Sequence, residues 1–358
     1  MFNYRKKIIN YFYLFLIIHL FIWTLIPSVT NENLPLDTIE ALAWGSNLDW
    51  GFSKHPPASA FFVELFYFIF GNQDWAFYFL SQIFVIFSFF IVFKVSDKIL
   101  DNKIYSFLSV ILLEGIYFYN FTTPEFNVNV CQLPFWSLTV FYTWKIFEGN
   151  KINLFDIFCL AIFAAIGFLT KYLFIYLLIS ILILFFYQIK ILKDKKFDFK
   201  YLICIEIFFV LLVPHLIWLF NNDFITIKYA FSRAGLGEVN YINHLKFPFI
   251  FLIKQILIIV PALILFYFAI KKPKLNLNFK DKKFIFLLIV NLLPICLMLF
   301  TSIITGSKIR TMWMTPFYLF FGTLLVYIFQ RYIDFNNIKK FTKCFIFLFL
   351  ISPISYAS

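Results

Sequence analysis

Charge is scarce in this chain of 358 residues: Asp, Glu, Lys and Arg make up 14% of it, where soluble domains carry about a quarter. That shortage excludes a soluble globular enzyme and a disordered chain alike. Cysteine is scarce as well. Cys131, Cys159, Cys204, Cys296 and Cys344 lie in or at the edges of apolar runs with no paired spacing, so they read as packing residues, with neither a disulfide framework nor a zinc site. No fixed-period repeat, low-complexity segment or separate soluble domain is visible. The alternating segments of roughly ten residues that build outer-membrane barrels are also missing.

What fills the chain is apolar: 62% of residues are hydrophobic and 23% aromatic. Runs of roughly 20 apolar residues recur, each long enough to cross a hydrocarbon core of ~30 Å. Eleven spans are expected, at about 8–28, 75–94, 104–121, 129–147, 154–170, 172–189, 201–220, 249–270, 284–305, 312–330 and 344–358. The fold class is therefore an all-α polytopic membrane protein, since backbone groups inside a bilayer must be satisfied within the segment.

Basic residues gather in alternate gaps between these spans. Arg5, Lys6 and Lys7 precede the first, and Lys94, Lys98 and Lys103 follow the second. Lys145 and Lys151, then Lys190 to Lys200, Lys271 to Lys283, and Arg331 to Lys343 continue the alternation. The positive-inside rule places these gaps, and the N-terminus, in the cytoplasm. The formal charge of +12 is thereby a topology signal and no nucleic-acid surface is expected. Residues 58–70 would invert every later loop if they crossed, but as a helix they reach only about 20 Å and carry Glu64. They read as a helix lying in the outer interface, inside a first external loop running from 29 to 74. The first apolar run lacks a small-residue cleavage site and reads as an uncleaved span.

The external loops hold few charges, and those few cluster. The first loop contains Asp37 and Glu40, an i,i+3 pair on one side of a short helix, followed by Lys54-His55-Pro56-Pro57. The second contains Glu125 behind Pro124, and later loops contribute Arg233, Lys308 and Arg310; Lys171 stands in the gap between two spans. Such a cluster suits an anionic, lipid-linked substrate, with cations for a phosphate and a carboxylate for a proton. The same spacings have plainer readings. Asp37 with Glu40 and Gly45 also reads as a helix start and stop, with Asp37 as N-cap. The two prolines also read as a rigid entry to the interfacial helix. Trp44, Trp50, Trp75 and Trp313 read as interfacial anchors before sugar platforms. Within the spans, Glu114 reads as paired or functional, and His19 and His215 as hydrogen-bonded core histidines.

Taken in order, four kinds of segment resemble the GT-C membrane glycosyltransferases, in the bacterial branch that includes protein O-mannosyltransferases and the lipid A aminoarabinose transferase. LDTIEALAWG (36–45) with LDWGFSKHPP (48–57) is similar to the family's first-loop acidic motif and its HPP element. FTTPEFNVNV (121–130) is similar to the second acidic motif, and GFLTKYLF (167–174) to a Lys-Tyr junction between spans. WLFNNDFITIKYAFSRAG (218–235) and GSKIRTMWMTPF (306–317) fill two later blocks. Many relatives carry adjacent acids at the first motif, where this chain has Asp37 and Glu40 three apart. Many also continue into a C-terminal external domain, for which this sequence shows no counterpart, so residues 1–358 read as a single transmembrane domain.

The resemblance implies a GT-C bundle of about 11 transmembrane helices with external juxtamembrane helices. It implies transfer of a sugar from a polyprenyl-phosphate donor to a hydroxyl of a glycolipid such as lipid A, or of a protein, on the external face of the inner membrane. In that frame Asp37 is the candidate general base, with Glu125 and Glu40 as further site carboxylates. Lys54, His55, Lys171, Arg233, Lys308 and Arg310 are candidates for the donor phosphate. A divalent metal is compatible with these side chains, but no ligand spacing demands one. The rival readings are a polytopic transporter or lipid flippase, and an inactive relative serving as an assembly partner.

Overall fold

Short polar gaps between long apolar runs force a helical solution, and helices are what the chain forms. The computed structural model describes residues 2–235, 241–334 and 337–358; residues 236–240, in the gap between the expected spans at 201–220 and 249–270, lie outside them. The chain opens with α1 (Phe2–Thr30), two short helices α2 (Leu36–Gly45) and α3 (Ala58–Phe70), and the long α4 (Asp74–Leu100). α5 (Lys103–Ile111) ends in two 3₁₀ turns, Leu112–Gly115 and Tyr117–Tyr119, before α6 (Val128–Glu148), α7 (Leu154–Thr170) and α8 (Ile175–Tyr187). α9 (Lys200–Asn221) leads into the short α10 (Ile225–Arg233), then α11 (Asn243–Tyr267) and α12 (Lys282–Thr305). A 3₁₀ segment, Thr311–Tyr318, precedes α13 (Phe321–Phe329) and α14 (Ile338–Ala357).

Among the described residues seven helices are long and apolar enough to cross a membrane, and an eighth span results if Thr311–Tyr318 and Phe321–Tyr332, bent by 51°, count as one. Three expected spans do not meet that measure, for separate reasons. The 104–121 run breaks after Ile111, where Glu114 and Gly115 leave the α-helical path. There the Glu114 carboxylate lies 2.7 Å from His19 Nδ1, and Asn120 donates to the Glu114 carbonyl. A Cβ on Gly115 would sit 2.4 Å from the Ala262 backbone, so α11 crosses in direct contact with this break. α6 is long enough, but its buried Asn129, Gln132, Thr139 and Thr143 lower its hydropathy. That is tolerable because α6 packs between α4 and α7, away from lipid. α7 falls short of the roughly 20 residues a span needs.

α4 is the centre of the bundle, in contact with α1, α5 and α6. It is apolar all round and buried along most of its length, as a core helix should be. The basic gaps meet one another at one end. Lys283 donates to the Ile99 carbonyl, Lys195 to that of Ile146, and Lys282 pairs with Asp194. At the other end the first loop folds down over α7 and α9. α3 stays short, burying Ala58, Ala60 and Val63 and leaving Leu65, Phe68 and Ile69 exposed, which fits a helix lying along the bundle end. α2 packs onto it at Gly45, where a Cβ would stand 2.9 Å from the Ala60 carbonyl.

Candidate active site

α2 begins directly after Pro35, which stands at the N-cap and offers no side-chain cap. Asp37 is therefore in the first turn and does not cap the helix, and Gly45 is its last residue. The capping reading of Asp37 fails because proline supplies the non-helical entry geometry that an N-cap residue needs. The first-turn amide of Asp37, an orphan donor, is taken up from across the chain: it donates to Glu125 Oε1 at 3.3 Å. Beside it Thr38 donates to the Phe126 carbonyl at 3.2 Å. Asn127 caps α6 through its Oδ1 and uses its amide nitrogen to hold Glu125 Oε2 at 3.2 Å. The two acidic motifs are thus one structural unit.

The Lys-His-Pro-Pro element closes on the same unit. Lys54 forms an ion pair with Glu40. The Phe52 amide donates to the His55 carbonyl at 3.0 Å, and Thr226 of α10 donates to the Phe52 carbonyl at 2.6 Å. His215 of α9 bridges the Trp50 carbonyl (2.6 Å) and the Tyr172 hydroxyl (2.8 Å), so it is a bonded histidine that straps the loop to the bundle. Trp218 lies so close to Gly51 that a Cβ there would be 2.3 Å from its ring.

The remaining cations take different places. Lys171, at the end of α7, is buried; its ammonium donates to Asn129 Oδ1 at 2.6 Å and sits 5.2 Å from the Trp313 ring centre. Arg233 and Lys308 are exposed and Arg310 half-buried. The Lys308 amide donates to the Ala234 carbonyl, which brings the 306–313 loop beside α10. A cleft with about 240 Å³ of empty space opens among Asp37, Glu40, Trp44, His55, Ser59 and Asn127. Trp44 stacks on Phe52 and meets His55 edge-on, so this tryptophan lines the cleft; Trp313 covers Lys171. Neither role was expected, nor were Asn127, Asn129 and Thr38; the N-x-N spacing ahead of α6 is the one signal that marks them.

Electrostatics follow from this packing. Burial raises the Asp37 pKa, Glu40 raises it further, and Lys171, Lys54 and Arg233 pull against them. Glu125 is raised by burial and by Asp37. Burial, aided by Lys171 and Lys54, pulls His55 down to about 3, so its imidazole is neutral and offers an N–H without positive charge. Burial brings Lys171 down to about 7. Lys54 is raised, chiefly by its hydrogen bond to Glu40. Among the described residues no group of three His, Cys, Asp or Glu side chains is arranged to hold a metal ion.

Residues 54–218 match the family model of dolichyl-phosphate-mannose-protein mannosyltransferase. The crystal structure of ArnT from Cupriavidus metallidurans bound to undecaprenyl phosphate superposes with a TM-score of 0.69 over 93% of this chain, at 14% identity. The fold is that of the GT-C glycosyltransferases. This chain spans 62% of the length of that ArnT chain. No curated protein sequence matches it significantly. The match to the mannosyltransferase family model begins at Lys54 and includes Glu125 and Lys171, but it starts after Asp37 and Glu40.

Proposed function

We propose that this GT-C protein transfers a sugar from a polyprenyl-phosphate carrier to an acceptor hydroxyl, acting as a single membrane domain on the external face of the inner membrane. One observation carries the reading: Asp37, Glu40 and Glu125 converge with Lys54 and His55 around one cleft, at the end of the bundle opposite the basic gaps. The positive-inside rule puts the basic end in the cytoplasm and the cleft outside. The solved ArnT structure holds undecaprenyl phosphate, a carrier of the proposed class.

In this mechanism the Asp37 carboxylate takes the proton of the acceptor hydroxyl as its oxygen attacks the anomeric carbon. The bond from that carbon to the carrier phosphate breaks on the opposite face, so configuration inverts and the phosphate leaves as an anion. Negative charge grows on that phosphate, and fixed positive charge stabilises it. Lys54 is poised for this at the rim of the cleft, with Arg233, Lys308 and Arg310 on the flanking segments. His55 contributes a neutral N–H, and Lys171 acts from below, biasing Asp37 towards its charged form. A helix start ordinarily favours the charged carboxylate and weakens it as a base. Burial and Glu40 work against that here and bring Asp37 closer to what a general base requires. No step calls on a metal. The acceptor is a glycolipid such as lipid A, or a protein hydroxyl.

The decisive test is Asp37→Asn assayed in membranes with a polyprenyl-phosphate sugar donor. Transfer is expected to fall at least ~10²-fold, the usual scale for a general base, with expression and thermal stability unchanged. Turnover near that of the wild type would remove Asp37 from the chemistry.

A further inference from the structure

A second cavity, within the bundle and away from the acidic cleft, carries an assignment of its own. It lies between α11, α12 and the end of the Thr311–Tyr318 segment, a groove open on one side with about 500 Å³ of space counted together with its mouth. Its inner wall is made by the buried Phe317 and Tyr318, and Ile256 and Leu292 stand exposed at its rim. The opening therefore faces the side of the bundle, where lipid chains run.

Two polar side chains interrupt this apolar wall, and both are almost wholly buried: Gln255 is 5% exposed and Asn291 2%. Each is half satisfied. Gln255 Oε1 accepts from the Tyr318 hydroxyl at 2.8 Å, which leaves its Nε2 hydrogens without a partner. Asn291 Nδ2 donates to the Leu287 carbonyl at 2.7 Å, which leaves its Oδ1 without one. They also share a depth. His244, near the start of α11, meets the Ile303 carbonyl near the end of α12, so the two helices run antiparallel. At about 1.5 Å per residue, Gln255 lies about 16 Å from His244 and Asn291 about 18 Å from Ile303. The cavity thus presents one spare donor and one spare acceptor at the same level inside an apolar slot. Leaving both unmet is costly in such surroundings.

We propose that this cavity binds a lipid chain carrying a hydroxyl group, with Gln255 donating to the hydroxyl oxygen and Asn291 accepting its hydrogen. Among the groups a lipid chain can carry, a hydroxyl both donates and accepts and so meets the two requirements at once. A plain acyl or isoprenoid chain fills the apolar volume but leaves both amide atoms bare. The assignment concerns binding alone and stands or falls separately from the transfer reaction.

The test uses the purified full-length protein in nanodiscs and two probes of equal length, octadecanoic acid and a mid-chain-hydroxylated octadecanoic acid, with saturable binding measured for each. The wild type is expected to bind the hydroxylated acid about tenfold or more tightly, the effect of two modest hydrogen bonds. The Gln255→Leu/Asn291→Leu double variant should keep its affinity for octadecanoic acid and lose the preference; its melting temperature shows that it is folded. Equal binding of both acids by the wild type would mean that water serves the two amides and overturns the proposal. So would a preference that survives in the double variant, or the absence of saturable binding. Because the comparison between probes is made on the wild type first, a variant that fails to fold does not shield the idea.

Discussion

Asp37 sits among opposed influences, and its working pH range reports their balance. Burial and Glu40 favour its neutral form, whereas Lys171, Lys54 and Arg233 favour the carboxylate. A base must be deprotonated to act, so the acid limb of the pH–rate profile should lie above the ordinary value for an aspartate, with activity rising as pH rises through it. Removing a like charge lowers a carboxyl pKa, so Glu40→Gln should move that limb to lower pH. Removing a nearby cation raises it, so Lys171→Met should move the limb to higher pH. A direct phosphate ligand would behave differently: its loss would raise the KM for the donor and leave the limb in place. Profiles of kcat/KM across pH for the two variants separate these roles. Lys171 shows how far residue type alone can mislead. Its position between two spans makes it look like a surface cation, whereas Asn129 and the Trp313 ring enclose it. His55, read from the sequence as a phosphate ligand, is held neutral by burial, aided by the cations beside it.

At the scale of elements, the site is a first loop clamped onto the bundle from several sides. α2 leans on α3 at Gly45, the 50–55 turn is bonded to α10 through Thr226, and His215 with Trp218 pins it to α9. The tightest of these contacts is at Gly51, where any side chain meets the Trp218 ring. Gly51→Ala is expected to lift the turn and cost on the order of tenfold or more in transfer, as small misplacements of catalytic groups do. A transfer assay on Gly51→Ala, Trp218→Leu and the double variant checks this, with the double variant losing less than the sum of the singles because the clash is shared. The short helix at 58–70 was legible in advance, and α3 has those bounds. The break after Ile111 was not legible. It depends on Glu114 meeting His19 and on Gly115 meeting the backbone of α11, contacts that no local run of residues encodes.

Across the whole molecule, charge sorts the loops into two ends. The basic gaps join one another through Lys283, Lys195 and Lys282, and the acidic motifs gather at the opposite end. If the bundle stands in the membrane as proposed, a membrane-impermeant maleimide should label Asp49→Cys in intact spheroplasts. It should label Lys274→Cys only after permeabilisation. Both positions are exposed. The reverse pattern would place the cleft in the cytosol and end the proposed use of an external acceptor.

The sequence by itself determined the helical class, the alternation of charged and uncharged gaps, and the short list of ionisable groups available for chemistry. These are properties of local composition, because a bilayer reads each segment by its own apolar length and flanking charge. Only the tertiary structure decided which of those groups act together. Asp37 meets Glu125 across 88 positions, and Glu114 meets His19 across 95. Burial then raises the pKa values of Asp37 and Glu125, to an extent set by neighbours that other segments supply. Desolvation and Coulomb interactions depend on distance in space, and a chain expresses that distance only once it has folded.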